Sequence, residues 1–345
     1  MNKKKDFVFA VLVGLSLSLS LVAQTQEKSN NDVNTLEEIT LGGVKQWILV
    51  RGENVANPVL LFLHGGPGFT EMPYTHVDSP RLEEHFVVVN WDQRGCGKSY
   101  NADTPEETIN MEQYLSDTHD LIQLLKTRFS KDKIFLIGHS WGSILGLYTA
   151  SRHPEDLYAF IGMGQVVNMR EGEMTSYRYT VEKAREAGDE EALEMLKGID
   201  PPLYRGGFQS LSIQRMLLAR YGGTMCNITY FDLGRIRTSS PYYTDADNDN
   251  FMMAFGRTRA LMWNEMLEVN FFEEVSEVRI SVYFFTGRYD YTTPFEILER
   301  YLDVLKAPHK EIVWFENSGH MPNLDEPEVY QDKLIDVVLK NTLKK

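Results

Sequence analysis

The stretch Ile134-Phe135-Leu136-Ile137-Gly138-His139-Ser140-Trp141-Gly142-Ser143-Ile144-Leu145 decides how this chain folds. Its opening apolar run, short and rich in β-branched and aromatic side chains, has the character of a buried strand. The apolar pattern from Ser143 to Arg152 has helical spacing, so a strand passes directly into a helix through Gly138-His139-Ser140-Trp141-Gly142. A turn this tight is strained. Glycines on either side of the serine avoid clashes that a Cβ would cause, and they leave the Ser140 hydroxyl exposed at the carboxyl edge of a sheet.

Similar apolar runs recur outward from this point, at residues 58–63, 86–91, 157–163, 281–286 and 311–315. Helical patterns lie among them: Met111 to Phe129, Pro294 to Leu305 and Pro327 to Leu343. This alternation predicts a mostly parallel, doubly wound α/β sheet with helices on both faces. The segment 36–52, alternating around Gly42-Gly43, suits an antiparallel hairpin leading into it. Between about Gln165 and Phe255 the alternation stops, and helical patterns at Thr180–Leu196 and Ser210–Arg220 are joined by loops rich in Pro, Gly and Asp. The expected organisation is therefore a core of residues 36–164 and 256–345 with an inserted helical cap at 165–255.

The 345 residues are 43% hydrophobic and 24% charged, which excludes a disordered chain and a protein of many membrane spans. A formal charge of -14 opposes phosphate backbones and anionic lipid surfaces, so no nucleic-acid partner is expected. Lys3, Lys4 and Lys5 precede an apolar stretch from Phe7 to Val22, which ends at Ala23 before a polar run. Residues 1–23 are thus expected to be a signal peptide, cut to release the chain to the periplasm or the exterior with no stable membrane insertion. The alternative is an uncleaved anchor, although the stretch falls short of the roughly 20 residues a span needs. Cys96 and Cys226 are too few for a disulfide framework and are expected to be separate buried thiols.

A serine hydroxyl is a weak nucleophile unless a base lies within hydrogen-bond reach and a third group orients that base. Gly287-Arg288-Tyr289-Asp290 and Asn317-Ser318-Gly319-His320 each follow a predicted strand, so Asp290 and His320 belong on strand-end loops. Serine, aspartate, histidine is the chain order of an α/β-hydrolase fold. The catalytic expectation is Ser140 as nucleophile, His320 as general base and Asp290 as orienting acid. The oxyanion of a tetrahedral intermediate needs amide donors, for which Trp141 and, from His64-Gly65-Gly66-Pro67-Gly68, Gly66 are the expected pair. No histidine pair has metal-ligand spacing on a helix, and no metal or other cofactor is expected.

His64 to Gly68, the run Trp91-Asp92-Gln93-Arg94-Gly95-Cys96-Gly97-Lys98-Ser99, and Gly138 to Ser143 together resemble the proline iminopeptidases. With the Asp290 and His320 segments, the likeness spans about residues 40–345. It implies an aminopeptidase that releases N-terminal proline or another small apolar residue from short peptides through an acyl-enzyme. It also implies carboxylates in or near the cap to hold a free amino terminus, because a buried cation is tolerable only beside such groups. The family's usual cap signatures are not found. By position the candidates are Glu171, Glu173, Glu265 and Glu268, with Tyr177, Tyr204, Tyr230, Phe251 and Trp263 as an apolar slot for a prolyl ring. Asp92 and Arg94 are expected to form a charge pair bracing the oxyanion turn. The alternative activity is that of a carboxylesterase or amidase, using the same triad on small neutral acyl substrates.

Overall fold

The computed structural model describes residues 31–205 and 207–343, so the expected signal peptide lies outside the described residues. Eight strands form one sheet: β1 (Val33–Leu41), β2 (Val44–Gly52), β3 (Val59–Leu63), β4 (Val87–Asp92), β5 (Ile134–His139), β6 (Leu157–Met163), β7 (Ser281–Gly287) and β8 (Lys310–Phe315). Their order is β1-β2-β4-β3-β5-β6-β7-β8. β1 and β2 form the antiparallel hairpin, β2 pairs antiparallel with β4, and every pairing from β4 onward is parallel.

Alternate residues of β3 explain why the strands are apolar without interruption. Val59, Leu61 and Leu63 enter a core shared with helices α1 (Met111–Phe129) and α2 (Trp141–Arg152). Leu60 and Phe62 point to the opposite face, against Tyr330, Leu334 and Val338 of the C-terminal helical segment. A strand buried on both faces has no polar side to show, hence no period of two.

Between β6 and β7 lie helices α3 (Met169–Ala187), α4 (Glu190–Lys197), α5 (Phe208–Arg220), α6 (Tyr230–Thr238) and α7 (Asp245–Leu267). The helix expected at Thr180–Leu196 is in fact two, because Gly188 takes a left-handed φ of 64° and Asp189 caps the next helix through the Ala192 amide. α3, α4 and α5 share a small core of their own around Ala184, Ala192, Leu196, Leu211 and Leu217. α6 and α7 occupy much of the region expected to be loop. Each begins with a reciprocal capping box, Thr229 with Asp232 and Thr244 with Asp247. α7 runs unbroken through residue 255. After it, helix α8 (Phe295–Val304) follows β7 and packs Ile297, Leu298 and Tyr301 into the first core.

Candidate active site

Ser140 stands between β5 and α2 with φ 52° and ψ -113°, a conformation a side chain rarely adopts. A Cβ on Gly138 would lie 2.2 Å from the Gly142 carbonyl oxygen, and one on Gly142 would lie 2.1 Å from that of Leu63. Both flanking positions therefore require glycine. The Ser140 amide donates to the Met163 carbonyl at 2.9 Å, tying the turn to the end of β6.

Asp290, fully buried after β7, accepts four hydrogen bonds. Its Oδ1 takes the amides of Thr292 and Thr293, both at 2.9 Å. Its Oδ2 takes the Thr293 hydroxyl at 2.8 Å and His320 Nδ1 at 2.9 Å. With Nδ1 engaged, His320 Nε2 is the ring nitrogen left to exchange a proton. His320 and Ser140 line one cavity of about 450 Å³. Among the described residues no hydrogen bond joins Ser140 to the imidazole. Burial pulls the imidazole below its ordinary pKa of 6.5, with the Asp290 carboxylate opposing the shift.

The loops that present these groups touch through glycines. A Cβ on Gly287 would strike the Gly319 carbonyl at 2.1 Å, and one on Gly164, at φ 53°, would come within 2.8 Å of the His320 ring.

On the other side of Ser140, neither the Gly66 nor the Trp141 amide has a backbone acceptor among the described residues. Both amides are thus available for a developing oxyanion. Gln93 joins the segments that carry them: its Oε1 accepts the Trp141 indole at 2.9 Å, and its Nε2 donates to the His64 carbonyl at 3.4 Å. The Gln93 amide donates to His64 Nε2 at 3.1 Å. Burial holds His64 down to about pH 4, so near neutrality it is an uncharged brace for the turn.

Asp92 and Arg94 do not pair, contrary to the sequence expectation. The Arg94 guanidinium forms a fork with the two Asp117 oxygens at 2.9 and 3.0 Å, whereas Asp92 accepts the Tyr243 hydroxyl at 2.5 Å and the Lys98 amide at 2.7 Å. The two residues diverge at the end of β4, one toward α1 and the other toward the segment before α7. Cys96 is buried as expected, but Cys226 is exposed.

None of the four glutamates expected at the substrate lines the cavity. Glu171 pairs with Arg300 at 2.6 Å, Glu268 with Arg170 at 2.5 Å, and Glu265 accepts the Met111 amide at 2.7 Å, all near the surface. Glu173 is buried, but it faces Arg215 and the Tyr204 hydroxyl. Of the five aromatics, Tyr230 and Phe251 reach the cavity. Sequence reasoning passed over Arg215, Arg237 and Arg259, which do line it. A single arginine on a helix carries no local mark of facing inward.

Elsewhere, His119, His153 and Asp156 bring ligand-type atoms within 4.8 Å of one another. Asp156 there is already engaged by Lys126 and by Gln123 at 2.7 Å.

The sheet order, the strand-to-helix serine turn and the aspartate and histidine loops define a hydrolase, and the chain belongs to the α/β-hydrolase fold family, whose model matches residues 58–327. Curated relatives named as aminopeptidases are among the proteins it resembles. It is 32% identical over 320 residues to the probable aminopeptidase YbaC of Bacillus subtilis, covering 87% of this chain and 94% of that one. It is 26% identical over 294 residues to a proline iminopeptidase of Saccharolobus solfataricus, covering 80% and 83%. The crystal structure of a proline iminopeptidase from Mycobacterium smegmatis superposes with a TM-score of 0.64 at 17% identity, over 90% of this chain and 99% of that one, a likeness of fold. Among the described residues no helix is long and apolar enough to cross a membrane.

Proposed function

We propose that this chain is a serine aminopeptidase that removes the first residue of short peptides through an acyl-enzyme. Ser140 Oγ attacks the scissile carbonyl while His320 Nε2 takes its proton, and the Gly66 and Trp141 amides receive the oxyanion. The proton then passes to the departing amine, and water, deprotonated by the same imidazole, releases the acyl group. The observation that supports this reading best is the Asp290–His320 hydrogen bond of 2.9 Å on the wall of the cavity that also holds Ser140. The names of the relatives favour a peptide substrate.

A second reading, carboxylesterase or amidase, is favoured by one fact: among the described residues no carboxylate lines the cavity to receive a free amine. Prolyl 4-nitroanilide, its N-acetyl form and 4-nitrophenyl butyrate separate the two, each run with the native chain and with Ser140→Ala. Cleavage of the unblocked prolyl compound alone, dependent on Ser140, supports the aminopeptidase. Indifference to acetylation, or a preference for the ester, replaces it with the second reading. Residues 1–23 are proposed to be removed on export, which N-terminal sequencing of chain recovered outside the cytoplasm checks.

A further inference from the structure

In a chain of net charge -14, the cavity holding Ser140 and His320 is lined by three guanidinium groups, those of Arg215, Arg237 and Arg259. The sign of the charge is locally reversed. Arg237 is occupied, donating to the carbonyl and side chain of Asn248 at 3.2 and 2.7 Å beneath the Phe251 ring. Arg215, from α5, is paired with Glu173 and donates a second hydrogen bond to the Gln214 side-chain oxygen. Arg259, from α7, donates to the Gly66 carbonyl at 3.2 Å and lies over the Phe255 ring, with no ion-pair partner among the described residues. The Nε donors of Arg215 and Arg259 are both buried without an acceptor.

A cation withdrawn from water without an ion-pair partner, as Arg259 is, is costly, and a guanidinium fork is shaped to take a carboxylate through two parallel hydrogen bonds. Burial, reinforced by the neighbouring Arg215 charge, holds Arg259 down to about 10, and the Arg215 charge also reaches His320. Both cations line the cavity that holds Ser140 and His320, and Arg259 is bonded to the Gly66 turn. Much of the remaining wall is apolar, with Phe69, Met225, Leu233, Phe251 and Phe255.

We propose that Arg259 and Arg215 form a carboxylate-binding subsite, and that the substrate is a largely apolar compound bearing a free carboxylate a few bonds from the carbonyl that Ser140 attacks. The proposal rests on the acyl-enzyme reading and narrows its substrate class. In a dipeptide the carboxylate belongs to the departing residue; in a half-ester of a dicarboxylic acid it belongs to the acyl group. Because Arg259 is bonded to the turn that offers the Gly66 amide, either carboxylate would be bound alongside the oxyanion.

Two matched pairs test it by kcat/KM: prolylglycine against prolylglycinamide, and 4-nitrophenyl hydrogen glutarate against 4-nitrophenyl pentanoate. The expected result is a preference of about tenfold or more for the carboxylate member of at least one pair, and the pair that shows it identifies the source. Arg259→Met and Arg215→Met are expected to bring that ratio to within about twofold of unity, and Arg259→Lys to restore part of it. Protection of Ser140 from a fluorophosphonate by glutarate, but not by glutaramide, makes the same comparison without turnover. Equal kcat/KM within both pairs of the native chain overturns the subsite, as does a ratio that both methionine variants leave unchanged. Ester turnover that survives Ser140→Ala defeats instead the acyl-enzyme reading beneath it.

Discussion

Oδ2 of Asp290 lies 2.9 Å from Nδ1 of His320, and the same oxygen accepts the Thr293 hydroxyl at 2.8 Å. The carboxylate is thus fixed by its own loop before it fixes the imidazole. Replacing Ser140 or His320 by alanine is expected to lower kcat by about five to six orders of magnitude, and Asp290→Asn by about four. Stopped assays alongside near-unchanged circular dichroism check this. Retention of more than a tenth of the native rate in Ser140→Ala rules out the proposed nucleophile.

The pH dependence follows from the burial of His320. Its imidazole must be neutral to accept a proton, and its pKa is below 6.5. Activity is therefore retained below pH 6.5 and lost as the pH falls through the lowered value. The acid limb of kcat/KM is expected to have its midpoint under 6.5. Asp290→Asn removes the charge that partly supports the imidazolium, so the limb of the residual activity moves further down.

Gln93 joins the Trp141 and His64 segments through two hydrogen bonds, and its expected role is to position the oxyanion donors. Gln93→Leu leaves the buried indole donor unpaired, at a cost of roughly 1–3 kcal/mol in urea denaturation. A fall in kcat of about ten- to a hundredfold, with KM little changed, is expected if the oxyanion donors drift apart. An unchanged kcat with lowered stability would reduce Gln93 to a structural brace.

Gly164 and Gly188 offer a controlled comparison. Both have left-handed φ, 53° and 64°, but an added Cβ meets the His320 ring at the first and open space at the second. The left-handed φ is expected to cost alanine about 1–2 kcal/mol at either, with a further cost at Gly164 where the ring must also shift. Only Gly164→Ala is expected to cut kcat as well, by an order of magnitude or more as the imidazole is displaced. Equal kinetics in the two variants would falsify this account of the histidine's seat.

Much of the central sheet could be read from the sequence because its strands are buried on both faces, which leaves runs such as Val59–Leu63 wholly apolar between polar turns. The serine turn announced itself through two glycines whose replacement would strike backbone oxygens. α6 and α7 were less visible because their apolar residues are spread around the helix, some facing the core and others, such as Phe231 and Met253, facing solvent. Their capping boxes were the available local signal. The Asp92–Arg94 pairing failed for a different reason. Opposite charges two residues apart do not fix a pairing: their partners, Tyr243 and Asp117, come from opposite sides of the chain's midpoint.

Ser140, Asp290 and His320 all sit on loops at strand ends, and none lies on the five helices from Met169 to Leu267 that supply Arg215 and Arg259. On the proposed reading, reactivity and choice of substrate are inscribed in different stretches of polypeptide. Grafting a foreign helical roof onto this floor should alter what is cut while leaving the cutting edge intact.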